Sequence, residues 1–156
     1  MSLFLMRHGD ASFNASTDEE RTLSETGIRQ VNAMGCWLST QAERFDLVCV
    51  SPYLRAQQTW QKLNQSINHQ GTVHILDELR PNASADDTAD LISAMIELHQ
   101  SRHTLVVSHM PLLGYLCSEL LPGTEPKLFA TAAIAKIDKK HDGMMLKMQL
   151  PKPSPD

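Results

Sequence analysis

The sequence predicts a three-layer α/β/α sandwich built on a mostly parallel central sheet, closed by a C-terminal antiparallel hairpin. Three observations predict it. Short continuous apolar runs such as SLFLM, DLVCV and TLVV suit strands covered on both faces. Stretches with helical spacing follow them, and polar or proline-bearing turns separate strand from helix. That alternation implies right-handed βαβ crossovers with helices on both faces of the sheet.

The elements follow in order. SLFLM is the first strand, and GDASFNASTDEER after it reads as loop. SETGIRQVNAMGCWLSTQAER places Ile28, Val31, Met34 or Gly35, and Leu38 on one helical face, with Ser24 as N-cap. DLVCV is the second strand, and YLRAQQTWQKLNQSI the helix after it. TVHIL is a third strand, DELRPNASADD a loop, and TADLISAMIELHQ an amphipathic helix. TLVVSHMPLLGYLCSELL is a strand ending at Ser108-His109, followed by a helix with Pro111 in its first turn. LFATAAIAKID and GMMLKMQL pair around a KKHDG turn. One domain is expected over residues 1–150, with a disordered tail, PKPSPD, over 151–156.

Composition narrows the function classes. The chain has 156 residues, 42% of them hydrophobic, which suffices for a single core without disulfide or metal support. Cys36, Cys49 and Cys117 form no paired motif and are expected to be reduced and mostly buried. A net charge of −4 with scattered Lys and Arg offers no stripe for nucleic acid. No run of about 18 apolar residues predicts a membrane span. The short run before Arg7 lacks the features of a secretory signal, so a cytoplasmic location is expected, and no apolar stripe demands a dimer.

Ligand sites in open α/β sheets lie beyond the carboxyl ends of the parallel strands. Three such ends carry polar residues: Arg7-His8-Gly9, Ser51 with Arg55 one turn into the next helix, and Ser108-His109. Arginines clamp phosphate oxygens bidentately, and a neutral imidazole beside them attacks phosphorus. The set therefore suits phosphoryl transfer through a phosphohistidine intermediate, with Gly9 allowing close backbone approach to the anion. A metal site from His8, Asp10 and His109 is the competing arrangement, and cations beside it argue against it. His69, His74, His99, His103 and His141 lie outside these strand ends and read as structural or solvent-exposed.

LMRHGDAS, DEERTLSETGIRQV, VSPYLRAQQTW and TLVVSHMPLLGYL, in that order over nearly the whole chain, resemble the motifs of the histidine phosphatases, the superfamily that includes phosphoglycerate mutases. The resemblance implies that His8 is the nucleophile, that Arg7 and Arg55 bind the transferred phosphoryl group, and that His109 donates to it. No cofactor is implied. Arg21, before TLSETG, is a further candidate phosphate ligand; Ser51 and Asn14 are others, although Asn14 equally suits a turn. The family's proton-donating carboxylate falls on Glu78 in LDELRP, without the usual glycine-rich continuation; Asp18 and Glu19 are the alternatives.

Only two loops remain to cover the site, so an open cleft is expected, suited to a phosphorylated side chain on a protein surface. The small size and the RHGDA form resemble the phosphohistidine phosphatases of this superfamily. That implies a partner: a phosphorylated histidine-containing phosphotransfer protein. The alternatives are a small-molecule phosphomonoesterase sharing His8, and a non-catalytic phosphohistidine-binding module.

Overall fold

The computed structural model describes residues 1–140 and 143–152. A six-stranded sheet runs in the order β3-β2-β4-β1-β5-β6. β1 (Ser2–Arg7), β2 (Leu47–Val50), β3 (Val73–Ile75) and β4 (His103–Ser108) are parallel. β5 (Ile134–Lys140) joins β1 antiparallel, and β6 (Gly143–Gln149) completes the hairpin at the edge. The mostly parallel sheet with its closing hairpin is as the sequence predicts.

Side chains alternate across the sheet, and each face buries its own helix pair. Phe4, Met6, Val48, Val50, Leu105 and Val107 pack against α1 (Glu25–Ser39) and α2 (Leu54–Leu63). Leu3, Leu5, Leu47, Cys49 and Val106 meet α3 (Ala85–His99) and α4 (Leu112–Leu120). The register brings Arg7 opposite Ser108 and Val50 opposite Val107, so β1, β2 and β4 end together at one rim. No helix of the described residues is long and apolar enough to cross a membrane.

Several boundaries differ from the sequence reading. α3 starts at Ala85, three residues before Thr88, because Ser84 caps it by accepting the Asp87 N–H at 3.3 Å. Pro111 occupies the N-cap position of α4 and not its first turn. Each long loop holds one 3-10 turn, at Asp18–Glu20 and Asp77–Leu79. The largest difference is the stretch before β5, read as strand from Leu128 but irregular up to Ala133. Its backbone is engaged elsewhere: Phe129 O accepts from Arg7, and Ala132, at φ 60°, donates to His8 O. Cys49 and Cys117 are buried, whereas Cys36 is exposed, because it faces away from the Val31-Met34-Gly35-Leu38 stripe. Within the predicted tail, Pro151 and Lys152 have no regular structure, and residues 153–156 lie outside the described residues, as does His141.

Candidate active site

The rim of β1, β2 and β4 gathers His8, Arg7, Arg55 and His109, and the local sequence explains how. β1 stops at Arg7 because the next residues leave the ladder: His8 N–H still donates to Ser108 O at 3.0 Å, and then the chain turns. Gly9 N–H donates to Thr59 Oγ1 at 3.1 Å, and Thr59 Oγ1 donates to Arg55 O at 2.8 Å, tying β1 to α2. Ser24 caps α1 by accepting the Gly27 N–H and donates to Asp10 Oδ2 at 2.6 Å. A Cβ on Gly27 would stand 2.0 Å from Asp10 O, so glycine is required for this close approach. Gly9 serves the same packing. A Cβ there would meet Gly27 O and Val31 at 2.8 Å, so the space above Gly9 is taken by α1 and not left to an anion.

His8 is buried, and its two ring nitrogens have separate partners. Nδ1 lies 2.7 Å from Gly9 O, a pure acceptor, so Nδ1 carries the proton. Nε2 is the unprotonated nitrogen, and its lone pair accepts from Arg55 Nε–H at 3.2 Å. Burial, outweighing the Gly9 hydrogen bond and reinforced by Arg55, Arg7 and Arg21, pushes the His8 pKa down to about 4. The ring is neutral at pH 7.

Arg55 spends its other nitrogens on Asp18: NH1 donates to Asp18 O at 2.6 Å and NH2 to Asp18 Oδ2 at 3.2 Å. Arg7 donates through NH1 to Phe129 O at 2.8 Å, while its Nε is buried without a partner. An unpaired buried guanidinium N–H asks for an acceptor, and an incoming oxyanion supplies one. His109 is buried with its ring centroid 5.0 Å from that of His8 and 5.0 Å from that of Tyr53. Burial and the neighbouring His8, Arg55 and Arg7 push it down to about 2. Two arginines beside two neutral rings, with Asp18 paired to one of them, leave the rim positive and suited to a tetrahedral anion.

The remaining candidates are placed less directly. Arg21 donates to Ser12 O at 3.0 Å, to Ala11 O at 3.2 Å and to Asp18 Oδ1 at 3.2 Å, so it organises the loop that carries Asp18. Asn14 is exposed, and only its backbone is engaged, donating to Ser12 Oγ at 3.1 Å. Ser51 is fully buried and meets His109, its Oγ 2.6 Å from Nε2. Glu78 sits exposed on the 3-10 turn, and among the described residues its carboxylate makes no hydrogen bond or ion pair. Asp18 contacts Arg55 instead. Burial raises its pKa, but hydrogen bonds and charge from Arg21 and Arg55 outweigh that and hold it below the usual carboxylate range. Glu19 pairs with Arg80 at 2.8 Å. Asp10 is committed to Ser24, and no three described His, Cys, Asp or Glu residues form a metal-holding group.

Two participants escaped the sequence reading. Thr59 couples Gly9 to Arg55, and Tyr53 sets its ring against His109 with the Arg55 guanidinium 5.0 Å from its centroid. Both lie in VSPYLRAQQTW, at the turn and on the buried face of α2 that the arginine motif already marked.

A parallel sheet whose carboxyl rim carries paired histidines and arginines defines a phosphoryl-handling α/β protein, and the comparisons agree: the chain belongs to the histidine phosphatase superfamily (branch 1), whose family model matches residues 3–82. It is 37% identical over 146 residues to the phosphohistidine phosphatase SixA of Escherichia coli, covering 92% of this chain and 88% of that one. It is 31% identical to the SixA homolog of Haemophilus influenzae, over 88% of this chain and 87% of the other. A solved structure of the protein histidine phosphatase SixA complexed with tungstate superposes with a TM-score of 0.89 at 34% identity, covering 97% of both chains.

Proposed function

We propose that the protein is a phosphohistidine phosphatase that removes phosphate from a phosphorylated histidine-containing phosphotransfer protein through a covalent phospho-His8 intermediate. The observation that carries this reading is the state of His8: neutral, with its proton held on Nδ1 by Gly9 O and a lone pair on Nε2 beside Arg55. A nucleophile needs that lone pair, and no base has to remove a proton first.

In the first step Arg55 Nε–H turns from His8 Nε2 to a phosphoryl oxygen, and the released Nε2 lone pair attacks phosphorus in line. The N–P bond to His8 forms as the bond to the substrate imidazole breaks, and the leaving ring takes the electron pair. When its distal nitrogen carries a proton, it departs as neutral imidazole and needs no enzymic acid. That suits a site whose contacting carboxylate, Asp18, is held ionised. Arg7, Arg55 and His109 hold the equatorial oxygens where charge spreads in the transition state. In the second step water attacks phosphorus, the His8 ring leaves, and inorganic phosphate is released. Nδ1 keeps its proton throughout, donated to the Gly9 carbonyl, so His8 also departs as a neutral ring.

Similarity to SixA over nearly the full chain supports the phosphohistidine substrate, and the rim of the site supports a protein carrying it. Phe13, 85% exposed, lies against Arg21, and Leu128, 89% exposed, precedes the Phe129 carbonyl that binds Arg7. Apolar side chains standing beside the charged pocket offer contact to a protein surface rather than to a small metabolite. On this reading the protein works as a monomer in a cytoplasmic phosphorelay.

The test is inorganic phosphate release from a phosphohistidine-bearing phosphotransfer protein, with wild type and His8→Ala, alongside a panel of phosphate monoesters. Fast release from phosphohistidine that depends on His8 is expected. Preferential turnover of monoesters would replace this reading with a metabolite phosphatase, and binding without release would replace it with a recognition module.

A further inference from the structure

Ser51 was a candidate phosphate ligand in the sequence, and its surroundings indicate a different task. It follows the last residue of β2 with its side chain fully buried, and its Oγ lies 2.6 Å from His109 Nε2. The backbone N–H of Tyr53 donates to the same Oγ at 3.3 Å. The serine oxygen therefore already accepts one hydrogen bond from the backbone, and its own hydrogen is free to be given away.

Two tautomers of His109 fit a short contact between Nε2 and Oγ. In one, Nε2–H donates to Ser51. The serine hydrogen then has no acceptor among the described residues, and the Nδ1 lone pair is left without a donor. In the other, Ser51 O–H donates to Nε2 and the ring proton resides on Nδ1. Nδ1 is buried and has no partner in the protein. It belongs to a ring packed against His8, within the field of Arg7 and Arg55. Only the second tautomer satisfies the serine hydroxyl, and only it presents a donor to an anion; a bare lone pair in that position would repel phosphoryl oxygens.

We infer that Ser51 is a positioning residue that fixes His109 as the Nδ1–H tautomer, through the relay Tyr53 N–H to Ser51 Oγ and Ser51 O–H to His109 Nε2. His109 then donates from Nδ1 to the phosphoryl group as a neutral ring. The inference rests on the phosphatase reading above for the group that receives this hydrogen bond, whereas the tautomer itself is a property of the protein alone. The arrangement mirrors that of His8, where the Gly9 carbonyl holds the proton on Nδ1 and leaves Nε2 unprotonated, as an acceptor from Arg55. One histidine is set to offer a lone pair and the other to offer a hydrogen.

The experiment has two parts. Long-range 1H–15N correlation spectra of the wild-type protein, with and without inorganic phosphate, read the His109 tautomer directly. A pyrrole-type, protonated Nδ1 and a pyridine-type Nε2 are expected, with the Nδ1 proton moving when phosphate is added. In Ser51→Ala the ring is expected to lose this preference, and kcat on the phosphohistidine protein to fall about tenfold, as for the weakening of one hydrogen bond rather than its removal. A protonated Nε2 in the wild type overturns the inference, and so does a kcat in folded Ser51→Ala within about twofold of wild type. Wild type and His8→Ala in the same assay separate this outcome from failure of the phosphatase reading, which would show as no His8-dependent release at all.

Discussion

Two histidine pairs stand in different regions of the molecule with almost the same geometry. At the carboxyl rim of the sheet, His8 and His109 have ring centroids 5.0 Å apart at 57°. On the far side of β2 and β4, His74 of β3 and His99 at the end of α3 are 5.1 Å apart at 61°. Spacing does not distinguish them. The rim pair is buried, its rings have assigned hydrogen-bond partners, and arginines surround it. His99 is exposed, and among the described residues neither ring of the second pair makes a side-chain hydrogen bond. Reactivity follows from burial, a fixed tautomer and local charge, and not from bringing two imidazoles together.

The sharpest way to break this comparison is to remove one ring from each pair. His8→Ala should lower phosphate release by at least ~10³-fold, because no other group supplies the lone pair. His99→Ala should stay within about twofold of wild type, as expected of an exposed side chain away from the chemistry. Single-turnover phosphate release on both variants decides it. Comparable losses would show that the second pair takes part in the reaction.

Arginine chemistry separates the two regions further. Arg55 donates from three nitrogens at once, to His8 Nε2, Asp18 O and Asp18 Oδ2. A lysine ammonium is a point charge without that planar fork, so Arg55→Lys should lose about 10²-fold in kcat/KM despite keeping the charge. Arg44, at the opposite end of the sheet, makes a 3.2 Å pair with Asp46 and is 65% exposed. Arg44→Lys should be nearly silent. Equal tolerance at both positions would reduce Arg55 to a source of charge.

Most of the rim was legible in the sequence, and the reason is local. β1, β2 and β4 are continuous apolar runs, and the polar residues at or just after their ends, Arg7, Ser51 and Ser108, announce the carboxyl rim without any knowledge of strand order. What was illegible depends on distant partners. FATAAI has the composition of a strand, but Phe129 O is taken by Arg7, 122 positions away, and Ala132 N–H by the His8 carbonyl. Asp18 was readable only as one more loop carboxylate, since its contact with Arg55 spans 37 positions. Glu78 stands on a turn whose Leu79 is buried, and the Leu79 carbonyl accepts from Ser108 Oγ, a contact spanning 29 positions that sets this turn beside the rim. The exposure of Cys36 was recoverable from helical phase alone, given Val31, Met34 and Leu38 on the buried face.

The smallest expected effect is thermodynamic, and it again sets the two pairs apart. Burial lowers His8 from 6.5 to about 4 and His109 from 6.5 to about 2. Above pH 6.5 both are neutral in the folded and unfolded chain, and stability does not depend on their titration. As pH falls below 6.5 the unfolded chain takes up protons that the folded protein refuses, so stability declines, and His8 stops adding to the decline only once it protonates near pH 4. By pH 4.5 this costs roughly 2–3 kcal/mol for His8 alone. His74 is also lowered, by burial and then by His99 and His69, so it acts in the same direction, while its partner His99 is exposed. Asp18 and Asp46 are both held below the usual carboxylate range and keep their stabilising effect until the pH falls below that of free carboxylates, beneath the window of interest. Urea unfolding from pH 7.5 to 4.5 should therefore show a falling midpoint in the wild type, a shallower fall in His8→Gln, and a fall close to wild type in His99→Ala. An unchanged midpoint across that range in the wild type would mean that the rim histidines accept protons freely in the folded state, and the distinction between the two pairs would lose its physical basis.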